Sequence, residues 1–157
     1  MKTLVTYFSA TGQTRRVAQE IAKRCGGDLD PIYMAQHIDS RWAGWHAGWH
    51  ALVRAAPPIR KPSRNPALYD LVIIGAPLSR FGLAPPVRSY VRQYADRFKH
   101  VAFFCAEGNF DDAPGFAELN KLCGKRPMAT FAVARKHLPV AAHIKDLVDF
   151  VDSVRAQ

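Results

Sequence analysis

Cysteine is scarce in this 157-residue chain: Cys25, Cys105 and Cys123 are an odd three, with no C-x-x-C spacing between them. That count argues against a disulfide framework and fits a reducing compartment, with the thiols serving as small apolar packing residues. Acidic residues are also few, 13 against 22 lysines and arginines, for a net charge of +9. Such a field favours an acidic partner or an anionic surface and speeds encounter without defining a fold. The positive residues are scattered, however, and a nucleic-acid module usually carries a tighter basic stripe with interleaved aromatics, so nucleic acid is not the expected partner. No apolar run is long enough to span a bilayer. The apolar stretch after Lys2 turns polar at Ser9, too soon for a secretory signal. It reads as a strand, and the expected location is cytoplasmic. Two nucleotide signatures are missing as well. There is no G-x-x-x-x-G-K-[ST] and no G-x-G-x-x-G, which argues against triphosphate hydrolysis and against a dinucleotide fingerprint.

What is present is an ordinary globular composition, 48% hydrophobic and 22% charged, at a length suited to one domain with one core. Residues 4–8 read as a buried strand. From Thr14 to Cys25, Val17, Ala18, Ile21 and Ala22 recur at helical spacing opposite Arg15, Arg16, Gln19, Glu20, Lys23 and Arg24, and Gly26-Gly27 stops the helix. Residues 28–34 form a weaker strand interrupted by Pro31. Residues 36–66 read as mostly irregular, with a helix-like centre at 41–55. Residues 69–75 are the clearest strand, apolar enough for burial on both faces. A loop over 76–84 leads to Pro85-Pro86, a favourable helix entry, and Val87, Tyr90, Val91, Tyr94 and Phe98 give that helix an apolar face. A strand at 100–105, a short helix capped by Asp111 or Asp112 and ending at Gly124, a strand at 128–134 and a helix over 139–154 complete the chain. Strands and helices alternate throughout, which predicts an α/β fold, a parallel sheet with helices on both faces, in a single domain over 1–157.

The strongest local signal is the run Ser9, Ala10, Thr11, Gly12, Gln13 and Thr14, between the first strand and the first helix. Its hydroxyls can donate to phosphate oxygens. Gly12 permits a tight turn on which successive N–H groups converge, and the helix N-terminus adds partial positive charge. This is an anion site of backbone and hydroxyls, with no lysine inside it. A hydroxyl-rich turn that only caps the helix is the alternative.

The chain resembles the flavodoxin family at these residues. That family's phosphate loop runs hydroxyl, x, Thr, Gly, x, Thr after a strand with an aromatic near its end, and Tyr7, Ser9, Thr11, Gly12, Thr14, Ala18 and Ile21 match it. Thr6 departs from it, standing where an apolar or aromatic residue is usual. The resemblance continues through Tyr69-Asp70-Leu71-Val72-Ile73-Ile74-Gly75-Ala76-Pro77, through Ala84-Pro85-Pro86-Val87-Arg88, and to the strand end Cys105-Ala106-Glu107-Gly108. It implies a five-stranded flavodoxin-like sheet of order 2-1-3-4-5, with FMN as cofactor at its carboxyl edge. Ser9, Ala10, Thr11, Gly12, Gln13 and Thr14 would hold the phosphate. Ala76, Pro77, Leu78, Ser79, Arg80, Phe81 and Gly82 would flank one side of the isoalloxazine ring, and Ala106, Glu107, Gly108, Asn109 and Phe110 the other. Relatives often carry a stacking Trp or Tyr where this chain has Ser79, so stacking would pass to Phe81 or Arg80, or be lost. Glu107, Asp111 and Asp112 would lower the flavin potential and Arg80 would raise it.

Other constellations are weaker. His46 and His50 are four apart, with His37 upstream, but H-E-x-x-H is absent and no Cys or carboxylate lies close in sequence, so no metal is expected. Trp42, Trp45 and Trp49 form one helical stripe, read as core packing or a homodimer surface rather than a substrate platform. The implied function is FMN-dependent redox work: electron transfer with a redox partner protein, or reduction of a small-molecule acceptor. The resemblance also admits an oxidoreductase for quinone- or porphyrin-type substrates. A flavin-free binding module with a basic docking surface is the competing class, and fold alone does not choose between them.

Overall fold

The computed structural model describes residues 1–35, 56–79, 82–108, 113–134 and 144–156. Its elements are β1 (Thr3–Tyr7), α1 (Gln13–Cys25), β2 (Asp28–Pro31), β3 (Leu71–Ala76), β4 (Leu78–Ser79), β5 (Gly82–Leu83), α2 (Pro85–Tyr94), β6 (His100–Gly108), α3 (Ala113–Cys123), β7 (Thr130–Ala134) and α4 (Ile144–Arg155). Five strands make one parallel sheet in the order β2-β1-β3-β6-β7. Leaving aside the small β4–β5 hairpin, that is the 2-1-3-4-5 order the sequence implied.

Every residue of β3 is buried, as expected of a central strand with helices on both faces. Val72, Ile74 and Ala76 point to the face where Val87, Tyr90 and Val91 of α2 and Leu119 of α3 pack. Leu71 and Ile73 point to the other, against Val17, Ala18 and Ile21 of α1 and Leu147, Phe150 and Val154 of α4. The apolar stripe read in α1 is therefore its buried face, worth roughly 1.5–3 kcal/mol for each large aliphatic side chain. Gly26 ends α1 in the left-handed conformation, φ 64°, and its N–H donates to the Ala22 carbonyl.

Among the boundaries that differ from the sequence reading, such as the strand read over 28–34 that ends at Pro31, three bear on the site. Residues 76–84 are not simply a loop, because Leu78 pairs with Leu83 and Ser79 with Gly82 in an antiparallel hairpin. The helix from Pro85 stops at Tyr94, and a 3₁₀ turn, Ala95–Arg97, carries the chain to the buried Phe98. β6 runs three residues past Cys105, with a register shift against β7 between Ala106 and Gly108, an irregularity of the kind that re-aims a strand end.

Tyr69 lies just before β3 and donates its hydroxyl to Asp28 Oδ2 at 2.7 Å, tying that strand's entry to β2. Burial, then this bond to a carboxylate, pushes the phenol up to about 12 from an ordinary value of 10.0. The folded chain therefore keeps a proton that the unfolded chain gives up, and this contribution to stability is lost as pH rises from about 10 to about 12. Denaturant melts across that window should fall more steeply for the parent than for Tyr69→Phe. Parallel curves would mean that this phenol does not titrate with unfolding.

Candidate functional site

Because the sheet is parallel, β1, β3 and β6 all deliver their carboxyl ends to one edge, where an open α/β sheet offers its binding crevice. The ladder continues past the end of β1, where the Phe8 N–H donates to the Gly75 carbonyl at 3.1 Å and the Ile32 N–H to the Tyr7 carbonyl at 2.7 Å. The chain then turns at Gly12, whose φ of 94° strongly favours glycine. The Gly12 and Arg15 N–H groups both donate to Ser9 Oγ, at 3.1 and 3.3 Å. Two amides from the loop and the first helical turn thus converge on one oxygen, which is the geometry a phosphate oxygen requires. Thr14 is buried and donates its hydroxyl to the Ala106 carbonyl at 3.4 Å, a long bond that pins the loop against β6. Thr11 lies exposed on the same loop.

The charge pattern here is unusual. The first turn of α1 contains no acid and carries Arg15 and Arg16 instead. Cations at the positive end of a helix dipole oppose it, by about 0.3–1 kcal/mol each when exposed. A bound dianion would reverse the sign of that interaction. Arg15 also reaches the Tyr7 hydroxyl; burial pushes this phenol up, and Arg15 opposes the shift.

On the second flank, Ala76 is buried at the end of β3, Pro77 follows, and β4–β5 forms the hairpin. Gly82 has φ 102°. On the third flank, Ala106 is buried, and Glu107 and Gly108 close β6. The structure therefore brings Ser9, Ala10, Thr11, Gly12, Gln13 and Thr14 to the same sheet edge as the residue pairs Ala76-Pro77, Leu78-Ser79 and Ala106-Glu107, together with Gly82 and Gly108. Arg80, Phe81, Asn109, Phe110, Asp111 and Asp112 lie outside the described residues. So do His37, His46, His50 and the Trp42, Trp45 and Trp49 stripe.

Solved structures share this fold. A Bacteroides eggerthii protein assigned as a flavoprotein superposes with a TM-score of 0.74 at 25% identity, over 95% of this chain and 97% of its own. The fold is flavodoxin-like. A Lactobacillus acidophilus flavoprotein in complex with FMN matches this flavodoxin-like chain at 0.67 and 18% identity, over 94% and 98%. A flavodoxin, WrbA-like protein of Agrobacterium tumefaciens matches at 0.60 and 15%, over 99% and 98%. At these lower identities the likeness is one of fold. No protein-family model matches the sequence, and no curated protein matches it.

Sequence reasoning about the flavodoxin-like chain missed the buried ion pair that holds Leu83 of the hairpin. Arg88 is buried in α2, and its Nε donates to Glu118 Oε1 of α3 at 2.6 Å. The signal was a lone arginine in the apolar run Pro85-Pro86-Val87-Arg88-Ser89-Tyr90-Val91, since a charge is rarely buried without a partner. Thr6, the departure from the family pattern, is fully buried in β1 near the Tyr90 hydroxyl; neither oxygen has a hydrogen bond of good geometry, and burial pushes the Tyr90 phenol up. Among the described residues no helix is long and apolar enough to cross a membrane, and no group of His, Cys, Asp or Glu is gathered as a metal site.

Proposed function

We propose that this chain is an FMN-binding redox protein, acting as one flavodoxin-like domain that transfers electrons or reduces a small acceptor. The observation that carries the reading is the convergence of the Gly12 and Arg15 amides on one oxygen, at a helix N-terminus whose first turn holds two arginines and no acid. That N-terminus lacks compensating negative charge, and a phosphate dianion supplies it. When bound, FMN supplies one- and two-electron chemistry of its own. The chain's residues bind and orient it: Ser9, Thr11, Gly12 and Thr14 at the phosphate, the hairpin residues and the end of β6 beside the ring.

The net charge of +9 favours an acidic redox partner or an anionic surface. Among the described residues of the β1–β2 side, the acids Glu20, Asp28 and Asp30 are engaged by Arg24, by Tyr69, and by the Ser63 and Arg64 amides respectively. Arg15, Arg16, Arg60, Lys61 and Arg64 are exposed there. We place the protein in the cytoplasm, consistent with three free thiols. The direct test is the cofactor carried on purification: a yellow protein releasing FMN on denaturation supports the reading, and a colourless protein that takes up no flavin supports the flavin-free binding module.

Ser79 separates carrier from reductase within this reading. A tryptophan there would cover the ring and block approach to it. Ser79→Trp should tighten FMN and slow turnover of a bulky acceptor such as a quinone. Tighter FMN with unchanged quinone turnover would show that acceptors do not approach from this side.

A further inference from the structure

The β4–β5 hairpin is only two residue pairs long, and an isolated hairpin of that size does not hold its own geometry in water. What fixes it lies outside it. On the edge of Leu83 that faces away from β4, the N–H donates to Glu118 Oε2 at 3.1 Å and the carbonyl accepts from Arg88 Nη2 at 3.4 Å. The same two side chains are joined, Arg88 Nε to Glu118 Oε1, at 2.6 Å. One ion pair therefore takes both main-chain groups of a single strand residue, much as a neighbouring strand would. A Cβ built at Gly82 would lie 3.0 Å from Glu118 Oε2, so the carboxylate also abuts the preceding residue. The Arg88 side chain is only 7% exposed and that of Glu118 28%. Apolar packing would resist lifting of the hairpin but not its sliding. Pairing to both the N–H and the carbonyl of one residue sets its register.

We propose that Arg88 and Glu118 are positioning residues for the ring end of the flavin site, locking the 78–83 hairpin to α3. This rests on the flavin reading above. The hairpin follows β3 and α3 comes after β6, so the pair ties one segment expected beside the ring to the helix that comes after the other. It has no part in the phosphate loop, and this separates its effects from those of Ser9, Thr11 and Thr14.

The test is Glu118→Ala, with Glu118→Gln as the variant that keeps the shape and an acceptor oxygen should the alanine open the whole domain. Amide exchange of Leu83 should quicken at least about tenfold while β1 and β3 amides stay protected. Riboflavin and FMN should lose affinity by the same factor, about tenfold, so that their ratio stays at the parent value. The absorption bands of bound flavin should shift, a change that loss of global stability alone would not give. Unchanged affinity for both flavins, or loss confined to FMN, would overturn the proposal. A parent that binds neither flavin would instead remove the flavin reading on which it rests, a result plainly different from a flavin-binding parent matched by its variants.

Discussion

Replacing Thr11 and Thr14 together by valine should weaken FMN by roughly 10²–10⁴-fold while leaving riboflavin binding near the parent value. A hydrogen bond to a charged group is worth about 1.5–3 kcal/mol, and the double variant removes two such donors from a dianion, the Thr14 hydroxyl exchanging its long bond to the Ala106 carbonyl for the phosphate when FMN binds. The fold should survive. Valine matches threonine in shape, Thr11 is exposed, and the Thr14 bond to the Ala106 carbonyl is long at 3.4 Å. Its loss costs about 1 kcal/mol. Fluorescence titration of both flavins, with a denaturant melt as the control for folding, reads the effect. Equal losses for FMN and riboflavin would mean that the threonines act through the fold and not through the phosphate.

The second large effect is on stability and falls on Gly75. This residue is in the fully buried β3, opposite Phe104 of β6. A Cβ there would collide with Cζ and Cε1 at the tip of the Phe104 ring, which is itself fully buried. The ring has no solvent to turn into, so Gly75→Ala should cost about 3 kcal/mol, the upper part of the range for overpacking a core. Gly75 also accepts the Phe8 N–H, so a displaced β3 would disturb the approach to the turn over 9–14. Pairing Gly75→Ala with Phe104→Leu should recover part of the loss in a double-mutant cycle. An unchanged denaturation midpoint in the single variant would show that the ring can move aside.

How much of this was legible in the sequence follows the range of the interactions involved. β3 was readable from residues 69–75, because a central parallel strand must be apolar on both faces, and the turn over 9–14 into α1 was readable because its glycine, hydroxyls and helix start are local. The hairpin was not. Its two residue pairs carry no periodicity, and its support comes from Arg88, five residues beyond Leu83, and Glu118, thirty-five beyond it. Likewise the helix end at Tyr94 could not be seen in an apolar pattern that runs on to Phe98, since the buried stripe continues across the 3₁₀ turn. The strain of Arg15 and Arg16 at the positive end of α1 was present in the sequence, but its meaning depended on knowing that the Gly12 and Arg15 amides converge.

The most direct measurement for the central claim is an equilibrium titration of the flavin-free chain with FMN and, separately, with riboflavin. The account predicts saturable one-to-one binding of FMN that is at least about a hundredfold tighter than that of riboflavin, the difference being the phosphate bonds of the Ser9–Thr14 loop. Equal affinities, or no binding of either flavin, would contradict it.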